Sequence, residues 1–420
     1  MAGRSSPALN HRSGLMNRGF YIILAAQFLS ALADNALLFA AIALLKTLQA
    51  PEWHTPLLQD FFVLSYIALA PFVGPFADSM PKGRVMFISN AIKLIGCLCM
   101  LAGMQPLYAY AIVGFGAAAY SPAKYGILTE YLPPRLLVKA NSWMEGATVA
   151  AIVLGAIVGG LLISPRIVGT WLQQMGLADR LGVPQLAIIL IAALYLGASW
   201  VNLYIPQLPI DHRVPKKNLV FLLYDFWHAF NLLWKDPLGQ VSLAVTTLFW
   251  GVGATLRLVV LSWAAVNLRF DLVHATQLTA MVAVGIAIGA AVAGRWVKLE
   301  SSVKVLPAGI ALGLIVIAMI FVTDWRMAMV VMFVVGALSG FFVVPLNALL
   351  QHRGHLLMGA GHSIAIQNFN ENLGILGLGI AYAFMVGHGV HIHWVIVSFG
   401  LFISLAMSVI WHRHRTDVVH

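Results

Sequence analysis

The chain has 420 residues, of which 60% are hydrophobic and only 10% charged, and its formal net charge is +10. A soluble domain carries nearer a quarter charged residues, so a water-soluble enzyme or binding module is excluded and an all-α polytopic membrane protein is indicated. The basic excess leaves no nucleic-acid footprint, because Lys and Arg fall between apolar segments instead of gathering on one face.

Runs long enough to cross a bilayer, about 20 residues, lie at 19–48, 57–79, 84–104, 106–130, 136–163 and 184–205, and after a polar break at 237–266, 272–298, 302–322, 325–351, 355–385 and 390–411. The first run, QFLSALADNALLFAAIALL at its centre, places Gln27, Ser30 and Asp34 on one polar stripe, with Asn35 beside it. It is too long, and too charged at Asp34, for a cleavable signal peptide. In the third, Cys97 and Cys99 point to different faces of a helix, which excludes both a disulfide and a metal pair. The fourth carries Lys124 two residues after Pro122, where a freed backbone makes room for a polar pocket. Glu145 lies in the fifth, Arg257 is isolated in the seventh, and the eleventh holds Gln367, Asn370 and Glu371 in QNFNEN, too polar to face lipid.

A charge at bilayer depth costs roughly 2.5–3.5 kcal/mol on insertion scales, so it is tolerated against protein or in a wet cavity. Spans 1, 4, 5, 7 and 11, which carry these charges, are therefore expected to converge on a transport pathway. The break at 206–236 divides the chain into bundles at 1–205 and 237–420. It opens with Pro206, Pro209 and Pro215, carries Lys216 and Lys217, and runs on as FLLYDFWHAFNLLW, which reads as an amphipathic helix on the membrane surface.

Putting the N-terminus in the cytoplasm collects Arg4, Arg12, Arg18, Lys82, Arg84, Arg135, Lys139, Arg213, Lys216, Lys217, Lys235, Arg295, Lys298, Lys304, Arg353, Arg413 and Arg415 on that side, against Arg166, Arg180, Arg269 and Arg326 outside. The positive-inside rule thus makes both termini cytoplasmic. An enzyme is not indicated: the one acyltransferase-like H-x-x-x-x-D string, His412 to Asp417, has no fold around it, and the remaining histidines form no metal-ligand set. No cofactor is implied.

The two halves echo each other. Pro122-Ala-Lys124 of span 4 matches Pro345-Leu-Asn347 of span 10, and Asn141 and Glu145 match Gln367 and Glu371. Parallel six-helix repeats are the mark of the major facilitator architecture. The loop GPFADSMPKGR (74–84) resembles that superfamily's signature: Gly74 permits close helix approach, Asp78 would pair with an arginine or cap a neighbouring helix, and Lys82 and Arg84 supply the basic turn. Pro81 stands where the usual pattern has glycine.

Within the superfamily the chain resembles the bacterial lysophospholipid transporters, through AAQFLSALADNALLFAAIALLK (25–46), APFVGPFADSMPKGRVM (70–86), GFGAAAYSPAKYGIL (114–128) and LVKANSWMEG (137–146). That resemblance implies twelve transmembrane helices and movement of lysophosphatidylethanolamine and its kin from the outer to the inner leaflet of the cytoplasmic membrane. There an acyltransferase-acyl carrier protein synthetase would re-acylate them. On this reading Lys124 and Arg257 hold the phosphate, and Asp34, Glu145 or Glu371 neutralises them or receives an ammonium. A lateral cleft beside spans 5 and 8 or 2 and 11 is expected, bordered by Gly155, Gly159, Gly160, Gly374, Gly377 and Gly379. The alternatives are a proton-coupled facilitator of a small polar solute or drug, and a membrane scaffold that recruits the acyltransferase.

Overall fold

The computed structural model describes residues 17–51, 54–164, 166–174, 176, 182–209, 218–270 and 272–414. Of the residues singled out above, Arg4, Arg12, Arg180, Arg213, Pro215, Lys216, Lys217, Arg415 and Asp417 lie outside them.

The first half runs through Arg18–Thr47 (α1), His54–Asp78 (α2), Lys82–Leu101 (α3), Pro106–Tyr131 (α4), Pro134–Leu162 (α5), the short Val168–Gln174 (α6) and Val183–Asn202 (α7). Leu219–Lys235 (α8) follows, and then Pro237–Asn267 (α9), Leu272–Trp296 (α10), Leu306–Ala318 (α11), Trp325–Met358 (α12), Ala360–Gly387 (α13) and Ile392–His414 (α14). A 3₁₀ turn at Leu299–Val305 leads into α11 and another at Met319–Phe321 ends it, so this span is assembled from three pieces. Among the described residues eleven helices are long and apolar enough to cross a membrane. α4 completes the twelve; its 26 residues reach across, but Ser121, Lys124 and its tyrosines lower its hydropathy.

Pairings repeat between the halves. α1 packs on α5, α2 on α4 and α3 on α7, as α9 packs on α13, α10 on α12 and α11 on α14. Two cross-half seams, α2 with α13 and α5 with α10, are related by the same repeat. Small residues set the closest of these approaches. Gly285 and Gly289 of α10 lie backbone-on-backbone against Gly336 and Ala337 of α12, while Gly336 and Gly340 press on Val282 and Ile286, a GxxxG interface on each partner.

One boundary differs from the sequence reading. The polar string at 352–354 reads as a turn between spans 10 and 11, yet α12 continues to Met358. Arg353 is neutralised there by Asp236 (Nη2–Oδ1 2.5 Å), and the turn falls at Gly359, whose φ of +98° a β-carbon would strain. α8 and α9 are separate helices. Asp236 is extended (ψ 123°) and caps α9 by accepting from the Gly239 N–H at 2.8 Å. One apolar side of α8 (Phe226, Ala229, Leu233) is buried against Ala70, Leu243, Leu350 and Ile366, and the other leaves Val220, Tyr224 and Trp227 exposed.

The bundle is shut at the side where α1 begins and α14 ends, here the terminal side. Residues Ala360–Asn368 of α13 are buried all round, as are Asn370 and Glu371, but none of residues 372–387 is. The halves therefore part beyond Glu371, toward the opposite face. The glycines expected to border that cleft divide by role. Gly155 and Gly159 seat α5 on Asn35 and Ala36 of α1, and Gly374 seats α13 on Thr247 of α9, so these serve packing within each half. Gly160, Gly377 and Gly379 have open space where a side chain would go.

Candidate functional site: a charged cavity above a polar floor

A cavity of about 80 Å³ lies among α1–α4, lined by Gln27, Ser30, Asp34, Tyr66, Lys93, Tyr120, Ser121 and Lys124. The stripe on α1 places Ser30 and Asp34 one turn apart, and Lys93 of α3 reaches both. Its Nζ lies 2.7 Å from Asp34 Oδ2 and 3.0 Å from Ser30 Oγ. Tyr195 of α7 donates to the other Asp34 oxygen at 2.6 Å, and the ammonium faces the rings of Tyr120 and Tyr195 at 4.8 and 5.6 Å. Lys93 is 1% exposed and Asp34 21%, so the ammonium sits behind its carboxylate, which turns one edge to the cavity. Lys124 is held more loosely. It lies 3.4 Å from the Thr148 hydroxyl and 4.6 Å from the centre of the Tyr125 ring, both neutral groups. Gln27 is buried, and neither polar atom of its amide has a partner among the described residues.

Beside the cavity a polar chain crosses from one half to the other. Glu145 Oε1 accepts from Tyr125 at 3.3 Å and from the Asn347 amide at 3.4 Å. Gln367 Nε2 donates both to Asn347 Oδ1 at 2.8 Å and to Glu371 Oε1 at 2.7 Å. One turn nearer the terminal side, Asn141 and Gln351 exchange two amide hydrogen bonds of 2.8 Å; at the cavity's edge Ser121 pairs with Asn368. These groups form a floor that is polar, built from both halves and hydrogen-bonded within itself, except that Gln367 Oε1 has no partner among the described residues.

Below the floor the signature loop closes the terminal side. Gly74 brings α2 against Gly361 and His362 at the start of α13, where a β-carbon would meet the His362 backbone at 3.0 Å. Asp78 then caps α13. It accepts from the backbone N–H groups of Gly361 (2.9 Å) and His362 (3.2 Å), so a carboxylate lies at the positive end of a 28-residue helix. Lys82 binds Asp78 at 2.6 Å and Glu130 at 3.1 Å, joining α2, α3 and α4. His362 Nδ1 lies 2.9 Å from Asp78, and its Nε2 lies 3.0 Å from Asp225 of α8. The hydrogen bond from His362 holds the Asp225 carboxyl below its usual range, against the smaller opposing effect of partial burial. Arg84 is exposed.

A sequence profile of the Major Facilitator Superfamily matches residues 23–376. A relative from Serratia proteamaculans, described as lysophospholipid transporter LplT, is 44% identical over 98% of this chain and 99% of its own. One of the same description from Klebsiella pneumoniae is 42% identical over 97% of this chain and 98% of its own. The chain belongs to the lysophospholipid transporter family of the major facilitator superfamily. Solved structures extend the fold agreement. The transporter FucP in its outward conformation superposes with a TM-score of 0.71 at 14% identity, over 95% of this chain and 98% of that one. A bacterial ferroportin homologue in its outward-facing state gives 0.70 at 16%, over 94% and 100%.

Within this family fold the site residues read from the sequence separate into several places. Asp34 and Lys124 line the cavity. Glu145, Asn347, Gln367 and Glu371 form the floor. Asn35 and Asn370 bond back to their own helices, at Ala31 O (2.8 Å) and Ile366 O (2.9 Å), and so brace the frame. Gly74, Asp78 and Lys82 form the closure. Arg257 stands apart from Lys124: it is exposed on α9, on the helical face of the buried Thr246 and eleven residues farther out, a rise of about 16 Å. The two cations do not share one pocket in this state. Lys93, Tyr66 and Tyr195 escaped the sequence reading. Lys93 was findable, since it is as isolated in FISNAIKLIGCLCML as Lys124 is in its own run.

Proposed function

We propose that this chain moves lysophospholipids across the cytoplasmic membrane of a bacterium, passing the headgroup through the Asp34–Lys93–Lys124 cavity while the single acyl tail stays in apolar surroundings. The observation that carries this reading is the pair of lysines at bilayer depth. Among the described residues Lys124 makes no ion pair: it touches the Thr148 hydroxyl and the Tyr125 ring while the Glu145 and Asp34 charges act on it from farther off, so beside the unpartnered Gln27 amide a phosphate finds a cation it can take over and a free donor. Asp34 holds Lys93 and presents an exposed edge, where an ethanolamine ammonium can compete for the carboxylate. The relatives' description as lysophospholipid transporters supports the same cargo.

The tail sets the route. Each buried CH₂ is worth about 0.8 kcal/mol, so wetting a dozen of them costs about 10 kcal/mol and a closed aqueous pore is excluded. The outer halves of α5 and α13 offer apolar walls instead, with Ile157, Ile380 and Phe384 exposed. The cavity, at about 80 Å³, is smaller than the roughly 300 Å³ of ordinary small-molecule sites, so binding must widen it. We place the chain in the inner membrane with both termini cytoplasmic, so the terminal side is the cytoplasmic side and the cargo arrives from the outer leaflet. Delivery to the inner leaflet would supply an acyltransferase-acyl carrier protein synthetase.

The test is flipping of a fluorescent lysophosphatidylethanolamine in vesicles holding the purified full chain, followed by its extraction with albumin. Flipping faster than in protein-free vesicles is expected, with at least a tenfold loss in Lys124→Ala. A rate equal to that of empty vesicles would sink both the cargo and the route.

A further inference from the structure

Three elements meet on one imidazole at the terminal side. His362 is buried in the first turn of α13, with Nδ1 2.9 Å from Asp78 Oδ2 of α2 and Nε2 3.0 Å from Asp225 Oδ2 of α8. An ionised carboxylate only accepts hydrogen bonds, and a neutral imidazole has one N–H to give. Both bonds exist together only when the ring is an imidazolium with two donors. The charges facing it are those of Asp78 on α2, Lys82 on α3, Glu130 on α4, and Asp225 and His228 on α8. With His362 neutral, the Asp78 and Asp225 carboxylates have one ring N–H between them, and a proton on the ring supplies the second donor.

We propose that His362 is a proton-dependent clamp on the terminal gate, a positioning residue that ties the signature loop to the surface helix α8. α8 is anchored to the C-terminal half at its far end, where Asp236 caps α9 and takes Arg353 of α12 in two hydrogen bonds. Its buried side spans the seam, with Phe226, Ala229 and Leu233 packed among Ala70 of α2, Leu350 of α12 and Ile366 of α13. When the halves rock and α2 withdraws, His362 keeps Asp225 but loses Asp78, and with it half of the charge that holds its proton. Opening therefore releases that proton to terminal-side water, and closing takes one back from the same water. The sign follows: low pH on the terminal face favours the shut gate, and rising pH favours opening. Because the proton enters and leaves on one face, the clamp responds to the pH of that face and draws no work from a transmembrane proton gradient. The clamp rests on the two-state fold and is independent of the cargo.

The test is the distance between spin labels on the exposed terminal-side residues Arg135→Cys of α5 and Leu356→Cys of α12, in a full chain with Cys97 and Cys99 replaced by Ala. Between about pH 5.5 and 9, the long-distance population should rise through a single one-proton transition. Asp225→Asn should move its midpoint down by about one pH unit, the shift a neighbouring opposite charge typically produces. His362→Gln should leave the distances flat across that range. In vesicles of the unlabelled full chain, transport at fixed terminal-side pH should be the same with and without a gradient. A pH-independent wild type, an unchanged transition in His362→Gln, an unmoved midpoint in Asp225→Asn, or a rate that follows the gradient would overturn the clamp. If His362→Gln does not fold, Asp225→Asn alone decides.

Discussion

Asp34 and Lys93 look at first like a static ion pair, and their mutants separate structure from transport. Lys93 is 1% exposed, so Asp34→Asn leaves an ammonium buried without its counter-charge, a change that costs about 3–5 kcal/mol in buried pairs. Folded yield should fall in Asp34→Asn and recover in Asp34→Asn/Lys93→Met, where no charge is left to strand. Flipping should stay lost in both. Size-exclusion yield and the flipping rate, measured on the same preparations, check this, and recovered transport in the double mutant would make the pair scaffolding only. Arg257 calls for a different readout. It is exposed some 16 Å outward of Thr246 on the same helical face, so it meets a headgroup before Lys124 does. Arg257→Gln should raise KM several-fold with kcat nearly unchanged, whereas Lys124→Ala should depress kcat. The sequence disclosed which residues were too charged for lipid, because insertion cost depends on residue type alone. It did not disclose which charge answers which, since Asp34 and Lys93 are 59 positions apart and their pairing depends on helix rotation. Nor did it separate Asn35 and Asn370, which satisfy their own helices, from Asn347, which crosses between the halves.

At the scale of helices, span positions were legible to within a few residues, because bilayer thickness fixes how long an apolar run must be. The exceptions arise where tertiary partners change the cost of a polar residue. Arg353 ends a span on paper, yet it continues a helix once Asp236 neutralises it. Glycine roles were the least legible, because a glycine that seats a helix and one that faces open space have the same sequence. Two substitutions make the contrast measurable. Gly336→Leu drives a side chain into the Val282 carbonyl and the Ile286 backbone of α10, where no rotamer gives relief. Its cost should exceed the 1–3 kcal/mol of ordinary overpacking, with loss of monodisperse protein and a lowered Tm. Gly377→Leu meets nothing within 4 Å, so Tm should hold. A stable Gly336→Leu would show that α10 and α12 can separate without loss of the fold.

At the scale of the whole molecule, the hydrogen bonds between the halves that involve Asp78, Ser121, Asn141 and Glu145 lie between the terminal side and the floor, and α13 loses its burial beyond Glu371. One closed and one open side imply that transport exchanges them, so a bond that cannot break on the closed side should stop the cycle. Asn141 of α5 and Gln351 of α12 touch across that seam at 2.8 Å. Asn141→Cys/Gln351→Cys, joined by a short thiol reagent in a chain whose native cysteines are replaced, should hold the terminal side shut and abolish flipping, and a cleavable reagent should restore it on reduction. Leu57→Cys/Phe384→Cys, placed toward the outer ends of α2 and α13, should resist the same reagent in the empty protein, because the halves have parted at that depth. Adding lysophosphatidylethanolamine should make the outer pair reactive, since a carrier that turns inward must close behind its cargo. Equal cross-linking of both pairs at every stage, with flipping intact, would mean that the halves do not rock and that the headgroup crosses by a fixed lateral groove.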